Sequence, residues 1–140
     1  MLRRNIFGPA STAKGLKLHR DLWIVCQDVL AHLDISILCS TRDEATQTKE
    51  YLEGDSLARF SESPHNYAPS FAADVGIWDS ELQGVREDPH SCKLVRDCFE
   101  THAIARGIDL EFGYDWSFKD AQHIELKGWR TVVSDTDLVG

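Results

Sequence analysis

The sequence predicts an α+β domain, a small, mainly antiparallel sheet with two or three helices packed on it. Apolar residues recur at helical spacing in two segments, short alternating runs read as strands, and size and composition suit one globular domain. With 140 residues, 42% of them hydrophobic and 27% charged, the chain can bury a proper core. No internal repeat, low-complexity tract or linker divides it, so residues 1–140 are expected to form a single domain with an N-terminal arm over 1–15, loosely packed around Gly8, Pro9 and Gly15.

The elements follow in order. Over residues 18–33, Leu22, Val25, Cys26, Val29, Leu30 and Leu33 make one apolar helical stripe. Asp34 ends it, and residues 35–41 alternate weakly around β-branched side chains, as a strand does. Asp43 then caps a second helix that Gly54 closes. Residues 55–64 are polar and read as a loop over a cleft. From Phe71 to Trp78 the chain reads as a central strand, with Phe71, Ala73, Val75 and Ile77 on one side and Ala72 and Asp74 on the other. Residues 79–89 form an acidic loop. Ser91 is expected to cap a helix that carries Leu94, Val95, Cys98 and Phe99 inward and stops at Gly107. A short strand over 108–113, an aromatic loop, and a strand around His123 complete the sheet, and the tail from Gly128 adds an edge strand or a docking segment.

Charge and composition exclude several functions. A formal charge of −8, from 23 acidic and 15 basic residues, leaves no basic patch for phosphates and argues against nucleic-acid binding. No segment is long and apolar enough for a membrane anchor, and the first seven residues lack the apolar core of a signal peptide. The expectation is a monomer made and kept in the cytoplasm unless another protein releases it. Cys26, Cys39, Cys92 and Cys98 have no C-x-x-C spacing; Cys26, Cys39 and Cys98 fall on apolar faces and read as reduced, buried small hydrophobes. His19, His32, His90 and His102 read as surface, capping or packing residues.

The chemistry concentrates in two places. His65 and Asp74 flank a turn, and His123 lies in an alternating run with Ile124, Glu125 and Leu126. If these strands share a sheet, two imidazoles and a carboxylate present nitrogen, oxygen and nitrogen to a metal with room for a water, the arrangement of a catalytic zinc rather than a structural one. The same residues are also compatible with ordinary surface hydrogen bonds, since six histidines in a chain of this size place some beside carboxylates. Arg42, at a strand end before a capped helix, is either a solvated charge or a donor for a substrate carboxylate or an oxyanion. Gln47 could hold Arg42 or face water; Ser63 could fix the loop or the His65 ring, or be a turn residue. Glu125 shares a strand face with His123 and could orient its ring. Trp116 either closes the sheet or walls the cleft.

The patterns Ser63-x-His65…Ala72-x-Asp74 and Asp120-x-x-His123-x-Glu125, with a helix between them, resemble the zinc-dependent peptidoglycan peptidases of the D-Ala-D-Ala carboxypeptidase and L-alanyl-D-glutamate endopeptidase family, to which many phage endolysins belong. The similarity takes in Cys39-Ser40-Thr41-Arg42, Gln47 and Tyr51-Leu52-Glu53-Gly54, and spans about residues 18–126. It implies that His65, Asp74 and His123 hold Zn2+, that Asp120 is the catalytic base, and that Arg42 binds the oxyanion or a substrate carboxylate. The implied activity is hydrolysis of a peptide bond in the peptidoglycan stem by a phage-type lytic enzyme without a separate wall-binding domain, acting on the wall after release. A D-Ala-D-Ala carboxypeptidase or dipeptidase of wall maturation, and a non-catalytic binding or virion module whose metal serves the fold, are the alternatives. One departure stands out. Asp74 follows His65 by nine residues, with Ala68, Pro69 and Ser70 where the commonest family form has a shorter glycine turn.

Overall fold

The structure, a computed structural model, describes residues 5–140; the first four residues of the expected N-terminal arm lie outside it. Four α-helices, α1 (Pro9–Gly15), α2 (Arg20–Leu30), α3 (Glu44–Leu52) and α4 (Pro89–Arg106), accompany five strands, β1 (Ile35–Cys39), β2 (Ala72–Asp79), β3 (Gly84–Val85), β4 (Leu110–Phe112) and β5 (His123–Leu126). The sheet is antiparallel in the order β1-β2-β5-β4, with β3 a short hairpin partner at the end of β2. This is the expected α+β architecture.

One face of the sheet is the core. Ile35, Ile37, Ala73, Val75, Phe112 and Ile124 pack against Leu22, Val25, Cys26 and Val29 of α2 and Val95, Phe99 and Ala103 of α4. Burying each of the larger side chains contributes roughly 1.5–3 kcal/mol, so the face opposite this layer is left free to carry polar groups. The caps explain where the helices begin and end. Asp43 accepts from the Thr46 amide at 2.8 Å, and α4 stops at Gly107, whose φ of +69° favours glycine. Among the described residues no helix is long and apolar enough to cross a membrane.

Several expectations are corrected. Much of the arm is the helix α1, and Ser11 Oγ accepts from the Ile37 amide at 3.0 Å, covering part of the outer edge of β1. The cap of α4 is Asp88, which accepts from the Ser91 amide at 2.9 Å; Ser91 lies inside the helix. Residues 79–89 contain β3. Phe71 stands ahead of β2 and packs with Tyr67 and Trp129 in a second apolar cluster, apart from Ala73. His65 is not on the sheet: it sits in a 3-10 turn, Pro64–Asn66, that brings it to the sheet from a loop. Cys39 is not a core residue. A bulge between Ile37 and Cys39 shifts the register, so Ile37 pairs with Val75 on the core face while Cys39 pairs with Asp74 on the opposite one.

Candidate metal centre

Strand register builds the site on the polar face. Asp74 pairs with His123 across β2 and β5, and with Cys39 across the bulged β1; Ala72, two residues before Asp74, pairs with Glu125. Fully buried Ala72 leaves space beside the carboxylate that a larger side chain would fill. His65 arrives from its turn, fixed by the Ser63 hydroxyl accepting from its amide at 3.2 Å and by its carbonyl accepting from the Arg42 amide at 2.7 Å. Ser63 therefore holds the loop, and the imidazole is held elsewhere.

The outer bonds of the two rings decide their tautomers. His65 Nδ1 lies 2.7 Å from the carbonyl of Ser40, an acceptor only, so Nδ1 carries the proton and Nε2 bears a lone pair. His123 Nε2 lies 2.8 Å from Glu125 Oε1, so it is the donor and Nδ1 has the lone pair. Those two inner nitrogens are 3.3 Å apart, and Asp74 Oδ1 is 3.4 Å from His65 Nε2 and 3.3 Å from His123 Nδ1. Three lone pairs thus converge with no proton donor among them, and Asp74 Oδ1 is a buried atom without a hydrogen-bond partner. Such a cluster calls for a cation. For metal bonds of about 2.0–2.1 Å, tetrahedral geometry spaces donor atoms by about 3.3–3.4 Å, and the triangle has that size.

With no cation in place, protons on the inner nitrogens neutralise the same cluster instead, and the neutral tautomers above give way to charged rings. Burial disfavours the Asp74 anion, yet the charge of His65 and hydrogen bonds from both imidazoles hold it far below the usual carboxylate range. Burial likewise opposes protonation of His65, but the Asp74 carboxylate outweighs it and lifts the imidazole to about 10. His123 is also raised, its burial overcome by hydrogen bonds to Asp74 and Glu125.

Around the triangle stand the other expected residues. Glu125, buried, fixes His123 with one oxygen and accepts from Trp129 Nε1 with the other at 3.0 Å. Asp120 Oδ2 is 3.9 Å from His123 Nδ1 with its side chain 54% exposed, and its acid is raised first by burial and then by the Asp74 charge. Arg42 Nη2 lies 3.7 Å from Asp74 Oδ2, and Nη1 donates to Gln47 Oε1 at 3.0 Å. Gln47 does not face water; it is fully buried, and its amide also donates to the Ala58 carbonyl at 2.7 Å. Trp116 lies over His123 with ring centroids 5.2 Å apart, held by its Nε1 donating to Glu111 Oε2 at 3.1 Å. A cleft of about 570 Å³ opens on these groups, with Arg42, His65, Trp116, Asp120 and His123 in its wall.

The lengthened turn before β2 leaves Asp74 in register because its extra residues bond elsewhere. The Ala68 amide donates to Asp137 O at 2.8 Å, and the Ser70 amide donates to Lys17 O at 2.8 Å. Ser70 Oγ lies 2.6 Å from the same Ser40 carbonyl that holds His65. The C-terminal segment docks on this turn, with the Val139 amide donating to Asn66 O at 2.8 Å.

Sequence reasoning missed five contributors. A backbone carbonyl such as that of Ser40 has no sequence signature, and Ser70 reads as a turn residue. Asn66 is fully buried, ties Ser61 and Ser63 to the turn through Oδ1, and donates to the Arg42 carbonyl and Gln47. Trp129 was legible only as an apolar tail residue. At Gly113 a Cβ would stand 2.2 Å from the Asp120 carbonyl and 3.0 Å from the Cβ of His123, so glycine is needed for the Asp120 turn to close. Cys39 was seen but misplaced. Its Sγ is 3.7 Å from His65 Nδ1; burial pushes its thiol up, but the hydrogen bond to His65 together with the charges of His65 and Arg42 brings it below its ordinary value. Donor atoms of Cys39, His65 and Asp74, and of Asp74, Asp120 and His123, form two groups that could hold a metal.

No family model and no curated protein matches this sequence. The fold is nevertheless similar to that of a solved peptidase. That peptidase is the L-Ala D-Glu endopeptidase ChiX of Serratia marcescens, whose crystal structure superposes with a TM-score of 0.77 at 22% identity, over 92% of this chain and 96% of that one. At that identity the likeness shows a shared fold.

Proposed function

We propose that this protein is a zinc peptidase of the peptidoglycan stem, an endopeptidase of the L-alanyl-D-glutamate type, and that it serves as a phage lytic enzyme. The observation that carries the reading is the triangle of His65 Nε2, Asp74 Oδ1 and His123 Nδ1, three inward lone pairs with edges of 3.3–3.4 Å. These three would hold the ion, His65 and His123 as neutral imidazoles and Asp74 as a carboxylate. A zinc ion held by them would supply Lewis acidity for a scissile carbonyl and for the water that attacks it.

The remaining steps belong to the protein. Asp120, raised by its surroundings and open to the cleft, takes the proton of the attacking water and passes it to the leaving amine. Arg42, its fork oriented by Gln47, donates to the oxygen on which negative charge develops. Trp116 shields His123 from bulk water. The fold shared with an L-Ala D-Glu endopeptidase supports the choice of bond. The lytic role, with synthesis in the host cytoplasm, action on the wall after release by another protein and a monomeric state, rests on the motif resemblance.

A zymogram on purified wall material, with mass analysis of the fragments and elemental analysis of the protein, tests this. Cleared zones, fragments with a new D-glutamate amino terminus, and about one zinc per chain are expected. Release of D-alanine alone would move the activity to the carboxypeptidase alternative. A folded, zinc-supplemented protein that clears nothing and releases neither new amino termini nor D-alanine would end the peptidase reading.

A further inference from the structure

Among the described residues the cleft wall holds two guanidinium groups, and only one of them has polar side-chain partners. Arg42 is shared between Gln47 and Asp74. Arg130 lies on the same cleft, exposed, and forms no ion pair among the described residues, although Glu50, Asp55 and Glu62 also line the cleft. Its charge is therefore free to meet an anion that enters the cleft.

The guanidinium of Arg130 lies over the Trp129 indole, 4.6 Å from the ring centroid. Trp129 is only 3% exposed, and its Nε1 donates to Glu125 Oε2 while Glu125 Oε1 accepts from His123 Nε2. One carboxylate therefore anchors both a donor of the metal triangle and the platform under Arg130, which fixes the arginine relative to the reacting centre. Stacking on an aromatic face leaves the edge of the fork free and reduces the freedom lost when it pairs with an oxyanion.

We propose that Arg130 determines specificity by pairing with a free carboxylate on the substrate beside the bond to be cut. The inference rests on the peptidase reading above. In an alanyl-glutamate bond the glutamate has two carboxyl groups, and the chain continues through one; the other is either a free carboxylate or capped as an amide. A carboxylate offers two acceptor oxygens to the guanidinium fork, whereas a carboxamide offers one oxygen and turns an N–H toward the other prong.

The test uses two synthetic stem peptides that differ only in whether that glutamate carboxyl is free or amidated. Both are assayed with the zinc-loaded full chain, with Arg130→Ala and with Arg130→Lys; zinc content and melting temperature are recorded for each. Binding of both peptides to Asp120→Asn, with and without Arg130→Ala, is measured by calorimetry. The native chain should favour the free carboxylate by roughly 10- to 100-fold in kcat/KM, Arg130→Lys should keep part of that ratio, and Arg130→Ala should bring it close to one. The ratio of Kd values should follow the same pattern. Equal handling of the two peptides by the native chain, or a preference that survives Arg130→Ala, overturns the inference and leaves the peptidase reading standing. A native chain that cuts neither peptide overturns the peptidase reading, and the calorimetric ratio then decides on Arg130 alone, parity counting against it.

Discussion

Glu125→Gln tests the metal centre without touching any of the three inward donors. The carboxylate accepts two hydrogen bonds, from His123 Nε2 at 2.8 Å and from Trp129 Nε1 at 3.0 Å. A glutamine of nearly the same shape has only one oxygen, so its NH2 must face one of two N–H donors. Turned toward Trp129, the oxygen leaves His123 beside an amide donor; the ring then favours the other tautomer, with its proton on Nδ1 pointing at Asp74, where a lone pair is needed. Turned toward His123, it leaves the buried indole N–H unpaired, at a cost of about 1–3 kcal/mol. Losing the partner of a ligating imidazole weakens metal affinity by roughly 10- to 100-fold, or about 1.4–2.7 kcal/mol. Competition of the protein with a chromogenic chelator gives the zinc Kd, and urea unfolding of the chelated protein gives the stability. The expected result is a 10- to 100-fold weaker Kd together with a small loss of stability. A Glu125→Gln protein with unchanged zinc Kd would show that the His123 tautomer is not set by this carboxylate, and the assignment of Nδ1 as a donor to metal would fall with it.

Asp120→Asn should keep zinc and melting temperature while turnover falls by roughly a hundredfold or more, because the amide cannot accept a proton. Since Asp120 works ionised and its acid is raised from its ordinary value by burial and the Asp74 charge, native turnover should decline as pH falls through that raised value, and a profile with no acidic limb would count against it as the base. Arg42→Lys retains charge but loses the fork to Gln47, so turnover should drop by about one to three powers of ten with metal still bound; unchanged kinetics would return Arg42 to a structural role. Gly113→Ala introduces a Cβ 2.2 Å from the Asp120 carbonyl, and urea unfolding should show a loss of about 1–3 kcal/mol together with lost activity, whereas a stable, active variant would show that the Asp120 turn is free to move.

What could be read in advance follows from which forces act locally. The stripe of α2, the Asp43 cap and the Gly107 stop are written in neighbouring residues, and all appear in place. Helix α1 has no apolar stripe; it forms where Ser11 meets the edge of β1, a contact 26 residues away in sequence. The side of Cys39 depended on one bulged residue, and a shift of one position turns every following side chain to the other face. For the site, residue chemistry named His65, Asp74, His123, Arg42 and Glu125, the motif resemblance added Asp120, and the fold gathers them in one place. It could not name what orients them, because the Ser40 carbonyl is backbone and Trp129 looks like any buried aromatic.

The geometry also weighs between a metal that serves chemistry and one that serves the fold alone. Each inward atom of the triangle is braced from behind: His65 by the Ser40 carbonyl, His123 by Glu125, and Asp74 by Arg42 at its second oxygen. A structural zinc site closes with a fourth protein donor. The two side chains close enough to provide one, Cys39 and Asp120, both stand farther from the imidazoles than the edges of the triangle. Cys39 approaches His65 at Nδ1, the nitrogen turned away from the triangle, and Asp120 stays 3.9 Å from His123 Nδ1 with half of its side chain in solvent, longer than any edge of the triangle. On the proposed reading the open position would face the cleft, beside Asp120, whose acid is raised where that of Asp74 is lowered. A metal held only for stability would gain from drawing Asp120 in; a metal meant to share its fourth position with water and substrate needs Asp120 where it stands.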